Sequence, residues 1–64
     1  MTVKVTMQMV EKDGAPMRHY TGTIVRGKHK GKSFSCTVMD AGQGRAQFWA
    51  AMEKEFGGRC FYAN

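Results

Sequence analysis

The chain has 64 residues, of which 42% are hydrophobic and 11% aromatic, so its composition argues against a disordered segment and favours a single folded domain over residues 1–64. Its net charge is +5, from ten Lys and Arg residues against five Asp and Glu residues. A basic balance of this size suits an anionic partner, either nucleic acid or an acidic protein surface, although many small soluble proteins are basic without a specific partner.

Two strands joined by a tight turn are predicted at the start of the chain. Residues 2–10 alternate between apolar and polar side chains, which is the pattern of a half-buried strand. Asp13 and Gly14 follow, and this dipeptide is a strong signal for a two-residue hairpin turn. Placing them at the centre of the turn pairs Val3 with Ile24, so the apolar faces of the two strands coincide.

A third strand over residues 32–40 is predicted to pair with residues 20–26 through a turn rich in Lys and Gly. Centring that turn on His29 brings the apolar side chains of both strands onto one face, because side chains alternate with a period of two. The pairs expected from this register are Ile24–Phe34, Gly22–Cys36 and Tyr20–Val38. The second and third strands thus extend the apolar face of the first.

The helix has two candidate starting points. Asp40 and Gln43 have the spacing of a capping box, in which the two side chains bind backbone amides of the first turn. Gly42 and Gly44 would weaken that turn, so a helix that begins at Gly44 is the alternative.

The helical pattern itself extends over residues 45–56. Phe48, Met52 and Phe56 recur at the spacing of one helix face, and the Gly57-Gly58 pair is typical of a helix end in the left-handed conformation. A short strand is expected over residues 59–62, parallel to its neighbour because a crossover precedes it. The predicted fold is therefore α+β, in the order β-β-β-α-β: a three-stranded antiparallel meander, one helix packed on one sheet face and a short final strand.

Residues 26–32, here called the basic turn, concentrate positive charge between the second and third strands. The side chains concerned are Arg26, Lys28, His29, Lys30 and Lys32. With two glycines among these cations, the turn is predicted to be a flexible, protruding loop. Its backbone amides as well as its cations could then reach a phosphate. The alternative is a solvated turn whose lysines protect the sheet from edge-to-edge aggregation.

The sheet face opposite the apolar side is small and polar. Its side chains are Lys4, Thr6, Gln8, His19, Thr21, Thr23, Ser33, Ser35 and Thr37. A β-ribbon with such a face fits the DNA major groove. In topology alone, the arrangement resembles methyl-CpG-binding and integrase-arm domains, which implies DNA binding through the sheet by analogy and carries over no residue. A strand face that is merely solvated explains the same side chains.

Arg45 and Trp49 lie one helical turn apart. They are candidates for a cation–π pair or for an aromatic anchor that contacts a partner. The alternative, which we favour, is a tryptophan at the edge of the core that covers Tyr62 or Phe61.

The cysteine and histidine pattern predicts neither a metal site nor a disulfide. Cys36 and Cys60 are not part of a Cys-x-x-Cys motif, and their spacing to His19 and His29 matches no zinc pattern. No cofactor is therefore expected. Two cysteines are fewer than secreted domains of this size usually carry, which favours reduced thiols. The sequence also has no apolar run of signal-peptide length and no stretch of ~20 apolar residues, so we expect a cytoplasmic protein without a membrane partner.

No nucleophile with a positioned base and oxyanion site can be assembled from this sequence, so the chain is predicted not to be an enzyme. The leading hypothesis is a small basic binding module that contacts nucleic acid through backbone charge. The alternative is a small protein of the kind encoded by phages and mobile elements, which binds a host protein as an inhibitor or adaptor. A third hypothesis is a homodimer that forms through an exposed edge strand.

Overall fold

The computed structural model describes residues 1–39 and 44–63, and within them the elements follow the predicted order β-β-β-α-β. They are β1 (Thr2–Lys12), β2 (Ala15–Arg26), β3 (Ser33–Met39), α1 (Gly44–Phe56) and β4 (Phe61–Tyr62). The α+β fold class is confirmed, and the described part of the helix begins at Gly44. The capping box expected at Asp40 and Gln43 lies outside the described residues.

The first hairpin has the register that its turn predicts. Lys12 pairs with Ala15, and Val3 pairs with Ile24. Both residues between the strands have positive φ, 52° at Asp13 and 78° at Gly14, which is the conformation of a type I′ turn. Because this turn has a fixed length, the pairing of β1 with β2 follows directly from it.

The predicted register of the second hairpin is wrong by two residues. Gly22 pairs with Phe34, and Tyr20 pairs with Cys36, whereas the prediction placed Phe34 opposite Ile24. A shift of two residues leaves each side chain on its predicted face, since the faces of a strand alternate with a period of two. The assignment of apolar and polar faces therefore survives the error.

The core lies between α1 and one half of the sheet. Phe48 and Met52 of α1 are fully buried, as the helical spacing predicts, and they cover Val3 and Ile24, which are also buried. Tyr20 stacks on Phe48 with 5.3 Å between the ring centroids. The strand order β3-β2-β1-β4 places β2 and β1 at the centre of the sheet, directly under this cluster.

Gly22 allows the helix to approach the sheet closely. A Cβ atom at this position would lie 2.8 Å from the Sδ atom of Met52 and 3.0 Å from both the Cζ atom of Phe48 and the Cγ1 atom of Val3. These distances are shorter than ordinary carbon contacts of 3.5–4.0 Å. The mid-strand glycine therefore sets the depth at which α1 packs.

The helix is shorter than the sheet that it covers. Its 13 residues span about 20 Å, whereas the 11 residues of β1 span about 37 Å. Met7 and Met9 lie on the helix side of β1 but beyond the reach of α1, and they are 46% and 49% exposed. The apolar face of the sheet therefore continues into solvent toward the first hairpin turn.

In the part of the chain that the structure describes, α1 is neither long enough nor apolar enough to cross a membrane.

We expect Gly22→Ala to lower the free energy of unfolding by about 1–3 kcal/mol, because the added methyl group overpacks the contact between α1 and the sheet. Gly58→Ala is the matched control, since a Cβ at Gly58 would come no closer than 3.8 Å, to the Cε atom of Met1. Urea denaturation of both variants measures the difference. Equal stability of the two variants would contradict the close approach described here.

Candidate nucleic-acid interface

The start of β1 lies between the basic turn and β4. Thr2 pairs with Arg26 of β2 on one side and with Phe61 of β4 on the other. A Cβ placed on Gly27 would lie 3.4 Å from the Cα atom of Met1, so the basic turn passes beside the N-terminus. We call this end of the sheet, which combines the N-terminus, the basic turn and β4, the basic end.

The basic turn packs against the helix instead of extending freely into solvent. Gly31 donates its amide to the carbonyl of Ile24 (2.8 Å), and the amide of Ile24 donates to the carbonyl of Lys32 (2.9 Å). The half-buried ring of His29 contacts Phe56 of α1, with 5.2 Å between centroids. His29 thus fixes the turn to the end of the helix, whereas the sequence predicted a flexible, protruding loop.

The lysine and arginine side chains of the basic end remain accessible to an anionic partner. The exposed ones are Lys4, Arg26, Lys28, Lys30, Lys32 and Arg59. Charges of one sign that are grouped in this way sum to a positive potential over the surrounding surface. One basic surface is therefore formed by the start of β1, by the basic turn and by the segment that follows α1.

The open face of the sheet, which is the face turned away from α1, is continuous with this end. Lys4 lies on it two residues along β1 from Thr2, and Thr23 is exposed beside it on β2, where the two residues pair. Thr21 follows on the same strand and is half-buried. Farther along, the Nδ1 atom of His19 lies 2.8 Å from the Oγ1 atom of Thr37, so these two side chains bind one another.

The carboxylates of the described residues lie away from the open face. Glu11 is on the helix side of β1, Asp13 is in the first hairpin turn, and Glu53 and Glu55 belong to α1. Asp40 lies outside the described residues. An anion that approaches the open face near the basic end therefore meets hydroxyl groups and cations, and none of the described carboxylates lies there to repel it.

The last strand, whose position the sequence left undetermined, joins the outer edge of β1. Phe61 donates its amide to the carbonyl of Met1, and Ala63 donates to the carbonyl of Val3, both at 2.8 Å. The pairing is parallel, as the preceding crossover predicts. Because this strand has only two residues, other contacts are needed to hold it in place.

A side chain of α1 provides one such contact. The Oε2 atom of Glu53 accepts a hydrogen bond from the amide of Cys60 (2.8 Å), which fixes the segment between the helix and β4. The N-terminal ammonium group of Met1 donates to the carbonyl of Arg59 at the same distance. Glu53 is therefore an anchor of the segment between α1 and β4.

Aromatic stacking provides a second contact on the helix side of β4. Trp49 stacks on Tyr62 with 4.6 Å between ring centroids, so the tryptophan at the edge of the core that covers Tyr62 is confirmed. The guanidinium carbon of Arg45 lies 5.5 Å from the Tyr62 ring. Arg45 thus has an aromatic partner, but that partner is Tyr62 and not Trp49. The three residues and Ala46 line a shallow groove of about 390 Å³.

Phe61 is the residue of this surface that sequence analysis missed. Tyr62 points toward α1, so Phe61, its neighbour in the strand, points to the open face beside Thr2. Its side chain is 60% exposed. The aromatic content of the last strand was visible in the sequence, but the side on which each ring lies depends on where the strand docks.

Cys36 and Cys60 are both free thiols. Burial raises the pKa of Cys36. Burial also raises the pKa of Cys60, the nearby carboxylate of Glu53 raises it further, and the N-terminal ammonium group partly offsets these effects. Within residues 1–39 and 44–63, no group of three or more His, Cys, Asp or Glu side chains is placed to hold a metal ion.

Comparison of the chain with models of known protein families, with curated proteins and with solved structures finds no match in any of the three. The fold and the surface described above are therefore interpreted from their own geometry and charge.

We expect Glu53→Gln to increase the rate at which iodoacetamide alkylates Cys60 at pH 8. The amide oxygen of glutamine still accepts the hydrogen bond from the Cys60 backbone, but the negative charge that raises the thiol pKa is gone, so the thiolate fraction rises. Glu55→Gln, an exposed carboxylate of the same helix, is the control. Peptide mapping by mass spectrometry separates Cys60 from Cys36, and equal rates in both variants would exclude this electrostatic effect.

Proposed function

We propose that this chain is a small, non-enzymatic, cytoplasmic binding protein whose ligand is nucleic acid, held mainly by contacts between its cations and backbone phosphates. The observation that carries the proposal is the position of the basic end. It adjoins an open sheet face on which no described carboxylate lies. Neutralisation of phosphates by Lys and Arg releases counterions and dominates binding of this kind.

The geometry favours contact through the sheet as well as through the basic turn. Lys4 and Thr23 are exposed neighbours on the open face, and the exposed cations of the turn continue the same surface beyond the end of β2. Hydroxyl side chains and backbone amides bind phosphate oxygens and position a nucleic acid without specifying its sequence. Binding is therefore proposed to depend strongly on salt and weakly on base sequence.

The proposal predicts that Lys28→Gln combined with Lys30→Gln weakens binding to a duplex and reduces its salt dependence. If each lysine neutralises one phosphate, the slope of log affinity against log salt falls by about 0.9 for each removed contact. Both side chains are exposed, so stability should change by less than about 0.5 kcal/mol for each substitution. Fluorescence anisotropy at several salt concentrations measures affinity and slope together.

Lys12→Gln combined with Lys54→Gln is the matched control. It removes the same charge from exposed positions, one beside the first hairpin turn and one in the last turn of α1. A specific basic surface predicts a larger loss for the turn variant than for this control. Equal losses would mean that net charge alone attracts the ligand, and absence of wild-type binding at low salt would remove the proposal. An acidic protein partner would instead show its main loss in association rate.

A protein partner is the second candidate, as in an inhibitor or adaptor of the phage-encoded kind, and the free edge of β1 favours it. Beyond Val3, no described strand covers this edge. Residues 5–10 carry no charge and no proline, the devices that usually protect an edge.

The third hypothesis, a homodimer, uses the same edge of β1. Antiparallel pairing of two copies with Met7 opposite Met7 aligns Val5 with Met9 and keeps Lys4 from facing Lys12.

We expect Met7→Lys to leave a monomer if such a dimer forms, because the pairing would place two lysines directly opposite each other. Met39→Lys, at a 71% exposed methionine on β3, is the control and should leave the dimer intact. Light scattering coupled to size-exclusion chromatography measures the mass of each variant. A monomeric wild type at high micromolar concentration would exclude self-pairing through this edge.

A further inference from the structure

We infer that Phe61 is a stacking platform for an unpaired base, so the preferred ligand is a single strand and not a duplex. This inference rests on the proposed function and names the form of nucleic acid that the basic end takes. The platform consists of the exposed ring on the open face of the edge strand β4 and of the cations that β1 and the basic turn place beside it.

The position of Phe61 is fixed by the contacts of its neighbours. Trp49 and Arg45 hold Tyr62 on the helix side of β4, and Glu53 holds the backbone of Cys60. A strand held on one face displays the alternate side chain on the other face. Phe61 is therefore held on the open face, where its side chain is 60% exposed.

The surroundings of the ring have the charge that a nucleotide requires. Thr2 lies directly beside Phe61 and separates it from Arg26. Lys4 is the next residue of β1 on the same face, about 7 Å farther along the strand. Phosphates next to a base stacked on Phe61 would thus meet Lys4 on β1 and the basic turn one strand farther across the sheet. An aromatic ring beside a group of cations is typical of surfaces that bind single strands.

A duplex cannot use this platform. Its bases are stacked on one another and present only their edges in the grooves, whereas an unpaired base offers its face to an aromatic side chain. The ring itself would then contribute to single-strand affinity alone, while the cations contribute to both forms. This difference separates the role of Phe61 from the role of the basic turn.

The test compares labelled dT and rU oligomers of twenty nucleotides with a duplex of equal length, by anisotropy on the full chain. We expect Phe61→Ala to weaken binding of the single strands about tenfold and to change duplex affinity less than twofold. Phe61→Tyr should restore single-strand affinity. A loss of about tenfold on either oligomer supports the inference, and a difference between dT and rU would reflect the 5-methyl group of thymine or the 2′-hydroxyl of the ribose.

Met39→Ala is the matched control, because Met39 is an exposed apolar residue at the other end of the open face. The emission of Trp49, the one tryptophan of the chain, reports whether β4 stays docked in each variant. If Phe61→Ala with β4 docked binds single strands as tightly as Met39→Ala does, the inference is wrong while the proposed function stands. If the wild type binds no nucleic acid at low salt, both are wrong.

Discussion

The contact between α1 and Gly22 determines where most other elements lie. Because a hydrogen atom replaces a side chain at this point, Phe48 and Met52 reach the sheet surface and meet Val3 there. The depth of the helix then fixes the height of its remaining side chains above the sheet. Glu53 comes within hydrogen-bond distance of the Cys60 amide, and Trp49 comes within stacking distance of Tyr62. The position of β4 is therefore a consequence of packing in the middle of the sheet.

The same contact divides the molecule into two unequal ends. The helix covers the half of the sheet that includes the basic end, and the other half, toward the first hairpin turn, has both of its faces open. The longest dimension of the molecule as a whole is 39 Å. Met7, Met9 and Met39 are exposed in that half. Methionine side chains are flexible and polarisable, so they adapt to varied apolar surfaces. The two ends thus offer different chemistry, one ionic and one apolar, on opposite sides of a shared core.

The accuracy with which the sequence predicted each strand register depended on the rigidity of the turn that joins the two strands. The Asp13-Gly14 turn admits one geometry, so the predicted register of β1 with β2 was correct from the turn as far as Val3, and it shifts only at Thr2. The basic turn contains two glycines and a compact series of backbone hydrogen bonds, and symmetry about His29 was a poor guide to its pairing. The faces were nevertheless correct, because alternation limits the error to even shifts wherever one face is buried.

The other features that the sequence did not predict are contacts between distant segments. The docking edge of β4 depends on the carbonyls of Met1 and Val3, which no local pattern encodes. The partial burial of His29 depends on its contact with Phe56, the last residue of α1. The exposed cations could be predicted from the charged residues of the sequence alone. The exposure of Phe61 could not, because it depends on which strand β4 pairs with.

The way in which the basic end is held together bears on its function. Cations that are gathered in one region repel each other, and that repulsion lowers the stability of the folded state. The contacts described here that hold this region are largely neutral: backbone hydrogen bonds, the His29–Phe56 contact and the Trp49–Tyr62 stack. The carboxylate of Glu53 binds a backbone amide instead of a cation. Since these anchors leave the lysines and arginines of the surface exposed, an anionic ligand can relieve the repulsion without breaking any contact that maintains the fold.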